Sequence, residues 1–306
     1  MPKKIMPEVL IADSSNAIRN AFQDIFGDKL MVMCWAHVHR NAVKKVTTLV
    51  NKNNQTEIIS DIETLQLCQS TEIFNRASKM FKTKWKKNEP EFVKYFENEW
   101  FKKHNLWFEG AKHLTPSTNN ALESFNRVIK DENTLRTRLP ISRFRILALE
   151  TVGKWSKEYA NNLKEFKTVT TFTLELWTEG YQWARMKKEI ICFDKDNTIE
   201  YCIPSGEQCQ LLDCDINKVK SMKWKTFQQF KETAFTVWFV TLPKDKSQWT
   251  KGTCNCPSFF KKYMCKHIVG LAIRSKVCTP PVEAKNVRIG EKRKRGRPAK
   301  ASRALY

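Results

Sequence analysis

Cys254, Cys256, Cys265 and His267 stand in the run TCNCPSFFKKYMCKHIVG (253–270) as C-x-C, eight intervening residues, then C-x-H. Thiolate sulfur and imidazole nitrogen are donors that structural zinc prefers. Three of the first with one of the second close a tetrahedron and leave no position for a catalytic water. In an extended segment, residues two apart leave the backbone on the same side, so each pair forms a pincer. Pro257 turns the chain out of the first pincer, and HIVGLAIRSK supplies a helix for the second. The competing reading, buried free thiols beside an exposed histidine, needs both spacings to arise by coincidence. The group therefore reads as a structural Zn2+ site.

Three further places carry groups capable of chemistry. Asp13 ends the apolar run EVLIA, where a strand would hold its carboxylate rigidly. Cys34 and His37 lie three apart in CWAHVHRN, and Glu123 sits in a helix opened by STNN. Taken singly, each has a plain structural explanation: a helix-capping acid, a core thiol, a surface imidazole, an exposed helical glutamate.

The elements that must position these groups are legible from periodicity. EVLIA (8–12) and KLMVMC (29–34) read as buried strands. The helices SNAIRNAFQDIF and AHVHRNAVKKVTTLV follow them, the first capped by Ser14 or Ser15. This is an α/β opening. Helical periods then dominate from about 56 to 105: Ile58, Ile62 and Leu65, next Ile73, Ala77 and Phe81, then Phe92, Tyr95, Phe96 and Trp100. STNNALESFNRVIKDE (117–132) predicts a helix whose stripe of Leu122, Phe125, Val128 and Ile129 faces a core. Further helices are expected over 142–163 and 172–189. EIICFDKDNTIEYCIP predicts a hairpin turning at Asp196 and Asn197, and TAFTVWFVTLP and SQWTKGTC two more strands. The resulting division is a core at 1–165 with a helical insertion, a linking helix at 166–189, a β-rich zinc-binding module at 190–280, and a disordered basic tail at 281–306. The fold class is α+β, rich in helix.

Composition narrows the partners. The 306 residues carry 54 Lys and Arg against 32 Asp and Glu, a formal charge of +22. Such an excess calls for a polyanion, nucleic acid before an acidic membrane. No run approaches the ~18 apolar residues of a spanning helix, and the first residues lack a secretory pattern. The expectation is therefore an intracellular protein without membrane or small-molecule partners, in which cysteines stay reduced or bind metal. The scattered Cys34, Cys68, Cys192, Cys202, Cys209, Cys214 and Cys278 read mostly as small buried hydrophobes. The ten tryptophans read as core, and no internal repeat is visible. In the tail, Arg295, Gly296, Arg297 and Pro298 lie in KRKRGRPAK and resemble an AT-hook, an extended arm for a narrow A·T minor groove. The same basic run serves equally as a nuclear-import signal.

The C-x-C, eight residues, C-x-H arrangement with its preceding strands resembles the SWIM zinc finger, a module that binds DNA or protein. The order strand, Asp13, helix, strand, Cys34-x-x-His37, helical insertion, then Asn120, Glu123, Ser124 and Asn126 in N-x-x-E-S-x-N resembles the MULE (Mutator-like) transposase domain. That resemblance implies an RNase H-like core in which two strand acids and a helical Glu hold paired Mg2+ ions for DNA strand transfer. Asp13 matches the second acid and Glu123 the helical one. No Asp precedes Asp13, Glu8 lies on the same strand, and Asp24 and Asp28 fall in the following helix or loop. The expectation is a partial, N-terminally truncated core with vestigial catalytic residues and a raw sheet edge. What is expected is a nuclear protein that binds DNA without strand transfer. Two alternatives stand beside it: a piece of an active transposase with a mis-set start, for which Mg2+ would be needed, and a SWIM module whose partner is another protein.

Overall fold

The computed structural model describes residues 6–134, 136–162 and 171–285. The chain opens as β1 (Val9–Ala12), α1 (Asn16–Phe26), β2 (Leu30–Met33) and α2 (Trp35–Leu49). The two strands pair in parallel, Val9 opposite Leu30 and Ala12 opposite Met33, with α1 as the crossover that a parallel pair requires. Asp13 accepts a hydrogen bond from the Ser15 amide (3.0 Å) as the chain turns into α1.

The expected insertion is α3 (Lys52–Gln66), α4 (Thr71–Trp85) and α5 (Pro90–Phe96), which runs on as a π-helical stretch, Glu97–Lys103. The Ser70 side chain caps α4 by accepting from the Ile73 amide, and Pro90 starts α5 where no intrahelical N–H is needed. Ile58, Ile62, Leu65, Ala77, Phe81, Phe92, Phe96 and Trp100 are all buried, together with Val38, Ala42 and Val46 of α2. At about 1.5–3 kcal/mol for each large aliphatic or aromatic side chain, this is the principal core of the molecule.

α6 (Asn120–Val128) continues into a π-helical turn, Ile129–Asn133, and is followed by α7 (Ile141–Asn162). Here the sequence expectation fails. No residue of α6 is buried, Leu122 and Phe125 are each 56% exposed, and Val128 and Ile129 are only half covered. Phe125 instead meets Trp155 of α7 edge to face at 5.8 Å. α1 likewise buries nothing, and among the described residues β1 pairs with β2 alone. An amphipathic stripe records what a helix can bury, while burial itself needs a second element lying across it.

The C-terminal part begins with α8 (Leu174–Arg185) and continues β3 (Ile191–Asp194), β4 (Thr198–Pro204), α9 (Asp213–Ser221), α10 (Phe227–Thr233) and β5 (Val237–Pro243). It ends in β6 (Thr253–Cys254), α11 (Pro257–Lys262), α12 (Lys266–Arg274) and α13 (Val282–Lys285). The strands form one antiparallel sheet in the order β3-β4-β5-β6, and the hairpin at 195–197 is as expected. SQWTKGTC is not a strand for most of its length. Asp245 accepts from the amide and hydroxyl of Ser247 and from Gln248, which closes a 3₁₀ turn at Lys246–Lys251 and leaves only Thr253–Cys254 extended. The tail expected from 281 first forms α13, whose Ala284 is buried, and Arg295, Gly296, Arg297 and Pro298 lie outside the described residues.

Residues on both sides of the expected boundary at 190 share cores. Leu176 and Trp183 of α8, expected as a linker, are buried with Ile203, Val240 and the three clustered cysteines. α8 and α12 cross so closely that a Cβ at Gly180 would collide with Val269, and one at Gly270 with Trp183. In the other direction, α10 inserts Phe227 and Phe230 into the core of the helical insertion. Of the scattered cysteines, Cys34, Cys68 and Cys202 are buried and Cys278 is intermediate. Cys192, Cys209 and Cys214 are exposed, contrary to the expectation of burial.

Candidate metal centre

Cys254 leaves the end of β6, and Cys256 precedes Pro257 at the head of α11. Tyr263 then adopts the left-handed conformation (φ 54°) that ends α11 and turns the chain back, so that Cys265 stands at the N-cap of α12 and His267 in its first turn. Four donors from two pincers thereby converge, all buried, with their ligand atoms within 4.8 Å of one another. Cys254 Sγ and Cys265 Sγ lie 3.7 and 3.8 Å from His267 Nδ1. For Zn–S near 2.3 Å and Zn–N near 2.0 Å, a tetrahedral S···N edge is about 3.5 Å, so the donor set fits zinc in geometry as well as in type.

Burial pushes the Cys254 and Cys265 thiols well above their ordinary pKa, while hydrogen bonds from those thiols lower that of Cys256. Three buried thiols ionise together only at high cost unless a cation lies among them. Zn2+ supplies the charge that lets all three be thiolates. The surrounding contacts hold the ligands in place. The Cys256 amide donates to Cys254 Sγ at 3.4 Å, and Trp183 packs edge-on against the His267 ring at 5.6 Å. Asn255, between the first two ligands, accepts from the Phe239 amide and donates to Gln69 at the foot of the insertion, both at 2.8 Å. The metal loop is thus fastened to the helical body by one of its own residues.

A second gathering involves the other chemically capable groups. The Trp35 amide donates to Ser117 O, and the Asn119 amide lies 3.5 Å from Cys34 Sγ, which straps the segment before α6 onto the start of α2. This brings His37 Nε2 to 3.0 Å from Glu123 Oε1. His37 Nδ1 is buried without a partner among the described residues. Asn120 opens α6, and Asn126 lies on its exposed side. Asp13 forms no close group of three potential ligands with them, although the Cys34 amide donates to Ala12 O beside it at 2.9 Å. Among the described residues, the Cys254, Cys256, Cys265 and His267 set is the only group of three or more potential ligands so close together.

Two buried acids had no signal in the one-dimensional pattern. Asp61, fully buried in α3, accepts from Lys84 Nζ (2.6 Å), Trp85 Nε1 (3.0 Å) and Lys231 Nζ (3.1 Å), so that it ties α3, α4 and α10 together. Glu109 is buried beside the finger, accepts from Gln66 Nε2 (2.8 Å), and is held above the usual carboxylate range by that burial. A raised carboxyl pKa contributes stability below the unfolded pKa that is lost as pH rises through the folded one. Glu109→Gln keeps the acceptor and removes the charge. It is expected to melt higher than the parent at pH 8, with the difference vanishing toward pH 4, as read by thermal denaturation.

Comparison with known families gives two matches. Residues 7–160, just over half the chain, match the family described as "Transposase, Mutator family", and residues 238–276 match the "SWIM zinc finger". The second contains all four converging ligands. No curated protein and no solved structure matches the chain.

Proposed function

From the premise that the chain belongs to the Mutator family of transposases and carries a SWIM zinc finger, we propose that it is a nuclear protein that grips DNA through the finger and its basic surface and does not cut it. The observation that carries the DNA reading is the charge of the finger. From Gly252 to Val282 there is no Asp or Glu, while Lys261, Lys262 and Lys266 stand exposed on the two zinc loops. Zinc has a structural role in this reading: it fixes the end of α11 and the start of α12, which carry those lysines. The closed donor set leaves no place for a substrate.

The absence of strand transfer in this reading rests on the acids that match the family pattern. These are two, Asp13 and Glu123. Asp13 is engaged with the Ser15 amide and Glu123 with His37. Mg2+ chemistry at this site would need a further carboxylate. The AT-hook-like run with Arg295 and Arg297 adds a second DNA contact or an import signal.

The test is duplex binding against salt. If those three lysines each neutralise one phosphate, affinity is expected to drop about fortyfold between about 50 and about 200 mM salt. Zinc chelation should abolish most of the binding. A flat salt dependence would remove DNA as the partner and leave a protein as the finger's target. Nicking or joining of DNA by the chain with Mg2+ or Mn2+ would overturn the second half of the reading.

A further inference from the structure

Two cavities adjoin on the helical body, away from the zinc loops. One, of about 680 Å³, is bordered by α4 and α5; the other, of about 370 Å³, lies between α4 and the start of α10. Lys79 and Thr83 line both, so the two form one continuous trough. Six lysines face it, against Glu91 and Glu97. Two of the six are neutralised: Lys82 by Glu97 at 2.7 Å, and Lys84 by Glu57 and Asp61 at 2.6 Å each. The other four, Lys79, Lys86, Lys94 and Lys225, are exposed and have no ion-pair partner among the described residues.

The spacing of these charges bears on what fills the trough. Lys79 and Lys86, the unpaired lysines of this row, are seven residues apart, so they lie on one face of α4 and its C-cap about 10 Å apart along the axis. That span reaches phosphates about three apart on one strand. No arginine lines either cavity. Lysine meets phosphate as a point charge, without the bidentate geometry of a guanidinium that reads a particular group.

We infer that this trough is a sequence-independent track for the phosphate backbone of nucleic acid, separate from the zinc finger. The inference rests on the DNA-binding reading above and adds the surface that the finger does not provide.

The experiment compares Lys79→Ala/Lys86→Ala/Lys94→Ala with a control that removes the same charge elsewhere, at exposed lysines outside both the finger and the trough, Lys29→Ala/Lys52→Ala/Lys157→Ala, on random-sequence duplex. The trough variant is expected to bind about tenfold or more weakly whatever the sequence, with a log K against log salt slope shallower by about 2–3. Its zinc content and melting should match the parent. A trough variant indistinguishable from the control in affinity and slope overturns the inference while leaving the finger reading intact. A parent chain that binds no duplex sinks both. If the same three lysines instead mediate binding to polyglutamate and not to duplex, the partner is an acidic protein and the inference fails.

Discussion

Cys265→Ser is expected to lower bound zinc from one ion per chain to none under mild chelation, by elemental analysis, and to unfold the finger while much of the helical insertion stays folded. The size of the effect follows from what the metal offsets. Binding free energy at structural zinc sites is about 10–16 kcal/mol at neutral pH, and in small modules it is folding free energy. Here the ion balances the charge of three thiols that burial would otherwise keep from ionising together. Serine cannot replace the sulfur as a soft donor, and His267→Ala should have the same outcome. Hydrogen exchange should show β6, α11 and α12 losing protection, followed by α8, since Leu176 and Trp183 share their core with the ligands. Protection should persist in α3, α4 and α5, and in α10, whose Phe227 and Phe230 belong to the other core. A Cys265→Ser/His267→Ala chain that melts like the parent and holds the same metal would sink the zinc assignment.

Asp61→Ala is expected to destabilise the helical body by about 2–3 kcal/mol, the scale for leaving a buried donor unsatisfied and losing charged hydrogen bonds. The carboxylate is 0% exposed and accepts from two lysines and an indole N–H, so alanine leaves Trp85 Nε1 without its acceptor, while Lys84 keeps Glu57 and Lys231 keeps Ser60. Burial alone would depress the Lys84 pKa, but hydrogen bonds to Asp61 and Glu57 raise it. Without Asp61 its titration should move down. Lys231→Ala, which removes only the half-exposed arm from α10, should cost about 1 kcal/mol or less. Denaturant unfolding distinguishes the two. An Asp61→Ala midpoint within error of the parent would show that the cluster contributes nothing net.

How far the chain could be read in one dimension depended on the range of the interaction. The insertion was legible because Ile58, Ile62 and Leu65, like Phe92, Phe96 and Trp100, repeat at the helical period and are in fact buried. α9 and α10 were missed, although Thr226 accepts from the Gln229 amide as an N-cap and Phe227 and Phe230 have helical spacing. Their shortness weakened the signal. The 3₁₀ turn at Lys246–Lys251 reads as a strand because β propensity reports the apolar fit of side chains, whereas Asp245 decides the backbone by local hydrogen bonding.

Order and spacing of residues sufficed for the metal centre, the helical insertion and the family. Four ligands within one short segment need only a turn between two pincers, and zinc itself enforces the geometry. Three-dimensional packing alone decided that α8 belongs to the finger and that α10 belongs to the helical body. It also set His37 against Glu123, and left the stripe on α6 uncovered. Such outcomes depend on which surfaces segments distant along the chain present to one another. A helix's periodicity states which face is apolar and carries no information about whether anything lies across it.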